Sequence, residues 1–255
     1  MSGEVIDKFN KEQNEAHKLG YLGEKEIEVD IFLSILNNIK SSNVTFMELG
    51  AGYGEWCMAL NGIIRNKLID TNIKNIQCYA VEADPQHVIW IEKHFKQWNI
   101  EGQIIPFVIT DKDGNCMFAT TDDSATSYDQ GITISDNLLR TANNILRRES
   151  IPITSIKLDS LITTYNINKI DLIDMDVQGN EVRVVEGALE SIKTGVIDYW
   201  KIGTHRNKHN KKLEEILCQY YDLLIDMYPK SIGSVNGMTA KIDDGIQVYQ
   251  RKGLN

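Results

Sequence analysis

The sequence predicts an α/β domain, a mostly parallel sheet with helices on both faces and an antiparallel strand near the C-terminus. Three observations predict it. Short β-rich runs alternate with segments of helical period, the rhythm of a parallel sheet covered by helices. The first of these strands runs directly into the glycine-rich turn Gly50-Ala51-Gly52-Tyr53-Gly54. The second ends on a single acid, Glu82.

The elements follow in order. Residues 4–18 are polar with scattered apolar positions and read as a surface helix, broken by Gly20 and Gly23. Residues 24–40 place Ile27, Ile31, Ile35 and Ile39 on one stripe, the mark of an amphipathic helix. Residues 1–43 are therefore expected as an N-terminal helical extension, and 44–255 as the main domain. Residues 44–49 form the first strand and 55–66 the helix after it. Residues 76–81 form the second strand, and Pro85 suits the first turn of the next helix. Val88, Ile91, Phe95 and Trp98 share a face of that helix, and 104–109 form a third strand.

Residues 111–150 interrupt the rhythm with a run of Thr, Ser, Asp and Asn. A short hairpin and a helix near 137–147 fit there. A long irregular stretch of this kind serves as a lid or substrate loop, or is an insertion away from the substrate. The excursion is bounded at about 111–155. The rhythm resumes with a strand at 156–158, a helix from Asp159, and a strand at 171–175. A helix over 184–192, a fifth strand over 196–203 and a helix over 211–221 follow. Residues 221–249 read as two closing antiparallel strands around 233–237.

Composition sets limits on function. The chain has 255 residues, 42% of them hydrophobic and 25% charged, with a formal net charge of -9. That balance argues against nucleic acid as a partner, because a polyanion is usually met by a basic face. Cys57, Cys78, Cys116 and Cys218 form no C-x-x-C pair and read as reduced thiols of a cytoplasmic protein. No signal peptide is expected from the polar N-terminus, and no apolar run approaches the ~18 residues of a membrane span.

Four motifs carry chemistry. Gly50-x-Gly52-x-Gly54 lets the backbone turn tightly after a buried strand and approach a ligand closely. A dinucleotide site prefers G-x-G-x-x-G. Here the spacing differs, and Glu48 beside the loop suits a ligand with a cationic end, such as S-adenosylmethionine. Glu82 at a strand end suits a carboxylate accepting both hydroxyls of a ribose. In Asp174-Met175-Asp176, strand alternation puts both carboxylates on one face at the ligand edge of the sheet. Two acids so close need a cation or a shared proton between them, unless one faces solvent and the other caps the next helix. The fourth motif is Gly203-Thr204-His205-Arg206. His205 is suited to removing a hydroxyl proton, and Arg206 to meeting a carboxylate or phosphate. His87 and His94 read as packing or surface residues, and His17 and His209 as solvent-facing.

These stretches, with Ile109-Thr110-Asp111-Lys112-Asp113-Gly114, Leu158-Asp159-Ser160-Leu161 and Asp176-Val177-Gln178-Gly179-Asn180-Glu181, resemble the FkbM-like methyltransferases over roughly residues 44–205. The resemblance implies a class I methyltransferase (Rossmann-like) fold. It implies S-adenosylmethionine as donor, S-adenosylhomocysteine as product, and O-methylation, often of a sugar hydroxyl. The cofactor residues would be Glu48, Gly50, Gly52, Gly54, Glu82 and Asp111, the last toward the adenine amine. The catalytic residues would be Asp176 and His205, and the acceptor a sugar or nucleotide sugar. The family commonly has Lys where this chain has Asp174. That departure makes a divalent cation such as Mg²⁺ or Mn²⁺ an expectation, with Asp174, Asp176 and His205 as candidate ligands. The competing readings are a nucleotide-binding oxidoreductase and a non-catalytic adenosyl-binding module.

Overall fold

The computed structural model describes residues 24–119, 131–132 and 150–254. The expected helices over 4–18 and 137–147 lie outside these residues. Helix α1 (Glu24–Asn38) precedes β1 (Asn43–Leu49), α2 (Glu55–Arg65), β2 (Asn75–Val81), α3 (Pro85–Trp98) and β3 (Gly102–Ile105). Next come β4 (Val108–Thr110), β5 (Gly114–Ala119), β6 (Gly131–Ile132) and β7 (Ser150–Lys157). Then follow α4 (Leu158–Thr164), β8 (Ile170–Met175), α5 (Glu181–Glu186), α6 (Leu189–Thr194), β9 (Ile197–Thr204) and α7 (Asn207–Leu217). The chain closes with β10 (Tyr221–Met227), β11 (Ser231–Val235), β12 (Met238–Ile242) and β13 (Gly245–Arg251).

Seven strands form the central sheet in the order β10-β13-β9-β8-β1-β2-β3. The links from β3 through β9 are parallel, and β13 runs antiparallel between β9 and β10. The period of two along each strand sorts side chains onto the two faces. Phe46 of β1 and Tyr199 of β9 pack with α1, α2 and α3. Met47 and Trp200, each one position along, pack on the other face with α4, α5, α6 and α7. Every residue of β8 and β9 is buried, as strands covered on both faces must be.

Helix α1 shares this core. Ile27, Ile31 and Ile35 are buried with Phe32 against Phe46 and Trp56. Each such burial stabilises by about 1.5–3 kcal/mol. Its C-terminal part also packs on the β11–β12 hairpin, where Asn236 donates to Asp30 at 2.6 Å. No helix among the described residues is long and apolar enough to cross a membrane.

Four elements differ from the sequence reading. The expected third strand splits at Pro106, which has no N–H to give a ladder; Phe107 N–H turns back to Ile105 O instead. Strand β3 stays in the central sheet, and β4 joins a second sheet ordered β4-β7-β5-β6. The helix expected over 184–192 is two short helices, α5 and α6, parted at Gly187. The C-terminal region holds four strands where two were expected, with Asn236 and Gly237 at positive φ in the β11–β12 turn. On α3 the buried face runs through His87, Ile91 and Phe95, while Trp98 is exposed.

Asp159, in the family-like block, anchors this architecture. Its carboxylate accepts from Glu190 N–H, Ser191 N–H and the Ser191 hydroxyl at 2.6–3.1 Å, capping α6. Asp113 likewise receives Lys157 N–H and the Ser160 hydroxyl.

Gly187 is where the second sheet meets the helices. A Cβ there would lie 2.3 Å from Thr110 O, a backbone atom that cannot swing away. Gly187→Ala is expected to destabilise the protein by about 1–3 kcal/mol, read as a lower urea midpoint, through this overpacking.

Candidate functional site

The site lies where β1, β2 and β8 end. Gly50 and Ala51 N–H both donate to Val81 O, at 2.9 and 3.0 Å. Gly50 has φ +76°, and a Cβ on it would sit 1.9 Å from Asp176 O. No other residue type fits there. Gly52 N–H donates to Glu82 Oε2 at 2.7 Å, and Asp84 N–H to Glu82 Oε1 at 2.8 Å. Burial pushes the Glu82 carboxyl above its ordinary range. Gly50, Gly52, Glu82 and Asp176 line one cleft, which is closed on its apolar side by Ile109 and Phe118.

Three of the expected cofactor residues lie elsewhere. Glu48 points inward, where its carboxylate accepts Trp56 and Cys57 N–H at 3.0 Å each. It satisfies the otherwise unpaired first amides of α2 and so braces the loop from behind. Burial, then the charge of Asp174, push it up to about 8. Gly54 does not line the cleft either; a Cβ on it would press on Ile91 and Phe95 of α3. Asp111 turns away as well, to Arg183, whose Nε donates at 2.8 Å. The wall Asp111 was expected to occupy is apolar, formed by Phe107, Val108 and Ile109.

Asp174 does share a face with Asp176, but their surroundings part. The Asp174 side chain is 4% exposed and that of Asp176 48%. The parallel register pairs Asp174 with Lys201 of β9, and Lys201 Nζ lies 2.9 Å from Asp174 Oδ1. Lys201 also donates to Glu28 of α1. Burial raises Asp174 to about 6 even though Lys201 pulls it down. Burial opposes the charge on Lys201 too, but the two carboxylates outweigh it and raise its pKa. The cation missing from β8 is thus supplied one strand over. This corrects the reading of Asp174 as a metal ligand, since its charge is already met. Among the described residues no group of three or more His, Cys, Asp or Glu side chains is arranged to hold a metal ion.

Asp176 and His205 do come together, with Nε2 of His205 3.3 Å from Asp176 Oδ1. The ring is oriented by Glu181, which accepts from Nδ1 at 2.7 Å. Glu181 is fully buried, accepts Gly179 N–H at 2.7 Å, and also binds His209 Nδ1 at 2.7 Å. His209, read as solvent-facing, is buried for this reason. Burial would raise Glu181, but its histidine and backbone partners hold it down at about 2. Burial would likewise lower His205, yet Glu181, Asp176 and Asp244 together push it up to about 9.

Sequence reasoning quoted Glu181 within its motif and gave it no role. Its spacing of five residues from Asp176, across a glycine turn, was the available signal. Arg206 lies beside that turn, with Nη2 4.0 Å from where a Gly179 Cβ would be.

The profile of the methyltransferase FkbM domain matches residues 48–220. Among curated proteins no sequence matches significantly. Among solved structures, a precorrin-6Y C5,15-methyltransferase from Geobacter metallireducens is similar, at 10% identity and a TM-score of 0.45. That match covers 88% of this chain and 87% of the other. A SAM-dependent methyltransferase from Aquifex aeolicus matches at 11% identity and a TM-score of 0.41, over 88% and 87% of the two chains.

Lys201 balances two buried carboxylates, so its loss leaves uncompensated charge in the core. Lys201→Ala is expected to cost about 3–5 kcal/mol in urea denaturation. Asp174→Ala combined with it should cost less than the sum of the two single changes.

Proposed function

The chain belongs to the methyltransferase FkbM domain family and is a methyltransferase, and we propose that it moves the methyl group of S-adenosylmethionine to a sugar hydroxyl. The sheet described above, with its reversed β13, is the class I fold of that family. The observation that carries the proposal is the single edge on which Gly50, Gly52, Glu82 and Asp176 meet, with His205 in contact with Asp176.

The cleft fits the cofactor. Gly50 and Gly52, both at positive φ, line it with backbone, and Glu82 offers acceptor oxygens of the kind that ribose hydroxyls seek. The apolar wall of Ile109 and Phe118 suits a flat base. When bound, S-adenosylmethionine supplies a methyl group on a positively charged sulfur, ready for attack by an oxygen.

The protein's part is placement and a proton. Asp176 receives the acceptor hydroxyl as a hydrogen-bond donor and sets its direction. As the oxygen attacks, its proton leaves along that bond to Asp176 and passes on to His205 Nε2, 3.3 Å away, while Glu181 holds Nδ1 and fixes the ring. Because its neighbours favour the imidazolium, His205 is a stronger base than a free imidazole, with only about one molecule in a hundred deprotonated near pH 7. Asp174, paired with Lys201, takes no part as a metal ligand in this reading. The acidic balance of the chain favours a small sugar or nucleotide-sugar acceptor over nucleic acid.

Two outcomes are expected. Calorimetry should show binding of S-adenosylhomocysteine, weakened about tenfold or more in Glu82→Ala; no binding by the unaltered protein overturns the reading. On sugar nucleotides assayed by mass spectrometry, the methylation rate should climb with pH toward about 9 as His205 loses its proton. His205→Asn should remove that limb and lower the rate by about 10²–10⁴.

A further inference from the structure

His205 Nε2 faces a second carboxylate besides Asp176. Asp244 Oδ2, in the turn between β12 and β13, lies 3.8 Å from it. The side chains of Asp176 and Asp244 are 48% and 50% exposed, whereas Glu181 behind the ring is fully covered. Two half-open carboxylates therefore flank this nitrogen, which is itself covered.

The position of Asp244 is built. Glu24, in the first turn of α1, accepts Asp243 and Asp244 N–H through one oxygen, at 2.9 and 3.3 Å. The next residue, Gly245, is in register with Thr204 of β9, directly before His205. A Cβ on Gly245 would lie 2.2 Å from Thr204 Oγ1 and 2.6 Å from Pro229 Cδ, so the turn is pressed onto β9. Asp244 is thus tied from two sides to the strand that carries His205.

The chemistry of the pair selects its ligand. Ionised carboxylates only accept hydrogen bonds, and hydroxyls donate them. Three carboxylates, Asp176, Glu181 and Asp244, surround one imidazolium. That excess of negative charge disfavours a phosphate or carboxylate at this point and favours neutral donors. Two carboxylates on one side of a sheet edge suit two hydroxyls on neighbouring carbons. Asp176, Glu181 and His205 lie within the family match at 48–220, whereas Glu24 and Asp244 lie outside it.

We propose that Asp244 is a second acceptor-binding carboxylate, which with Asp176 clamps two adjacent hydroxyls of the acceptor, one of them placed over His205. The proposal rests on the sugar-methylation reading above and narrows it to acceptors with a free vicinal diol.

Saturation-transfer NMR tests it on the full chain saturated with S-adenosylhomocysteine. The probes are methyl glycosides of glucose, galactose and mannose, each beside its 2-deoxy and 3-deoxy analogues. The unaltered protein should bind at least one diol-bearing glycoside about tenfold more tightly than its deoxy analogues. Asp244→Ala should abolish that preference, and Asp244→Asn should reduce it, with S-adenosylhomocysteine affinity retained in both. Equal binding of diol and deoxy probes by the unaltered protein, no glycoside binding, or an unchanged preference in Asp244→Ala overturns the proposal. Failure to bind S-adenosylhomocysteine at all would instead overturn the methyltransferase reading.

Discussion

The carboxyl ends of β1 and β8 run so close that Asp176 N–H donates to Leu49 O at 2.9 Å, and Gly50 has no space for a side chain against Asp176 O. This contact between two backbones sets the geometry of everything else at the edge. It brings the glycine turn beside Asp176, the residue proposed to meet the acceptor. Methyl transfer needs donor and acceptor held in line, and a fixed distance between these two strand ends serves that alignment. Glu48 supports the same contact from below by holding the first amides of α2.

Buried charge is the second organising feature, and each instance is met by a partner. Lys201 is 2% exposed between Asp174 and Glu28. Glu181 is covered entirely and holds two histidines. Such pairs seldom add net stability over apolar packing, because desolvation costs about what attraction returns. What they provide here is position. Lys201 ties α1 to the centre of the sheet, and through Glu24 the same helix holds the turn that carries Asp244. The helix that begins the described chain is thereby coupled to the imidazole at the site.

Much of the architecture was legible in the residues. The stripe of isoleucines marked α1, and the alternation of strands and helices marked the parallel sheet, because both periods follow from local geometry. That Gly50, Gly52, Glu82, Asp176 and His205 gather at one edge was readable because they stand in short motifs next to strand ends. Other features were not. The break at Pro106 sends β4 to a second sheet, and the split at Gly187 falls where the helices press on Thr110, 77 positions away in sequence. Glu48, Gly54 and Asp111 stand beside the cleft in sequence, but the Glu48 and Asp111 side chains turn to the α2 amides and Arg183, and Gly54 faces Ile91 and Phe95 of α3.

By itself the sequence determined the fold class, the family and the sheet edge at which the glycine turn, Glu82 and Asp176 meet. Hydrophobic period and turn-forming residues are local properties, and the motifs stand within a few residues of the strands that present them. Only the tertiary structure decided which charges pair. Asp174 read as one of two clashing carboxylates until the register of β8 and β9 set Lys201 beside it. His209 read as solvent-facing until α7 brought it to Glu181, and Asp244 had no role until β13 paired with β9 and placed it at His205. Attraction between charges depends on distance in space, and a strand register joins residues that the order of the chain keeps far apart.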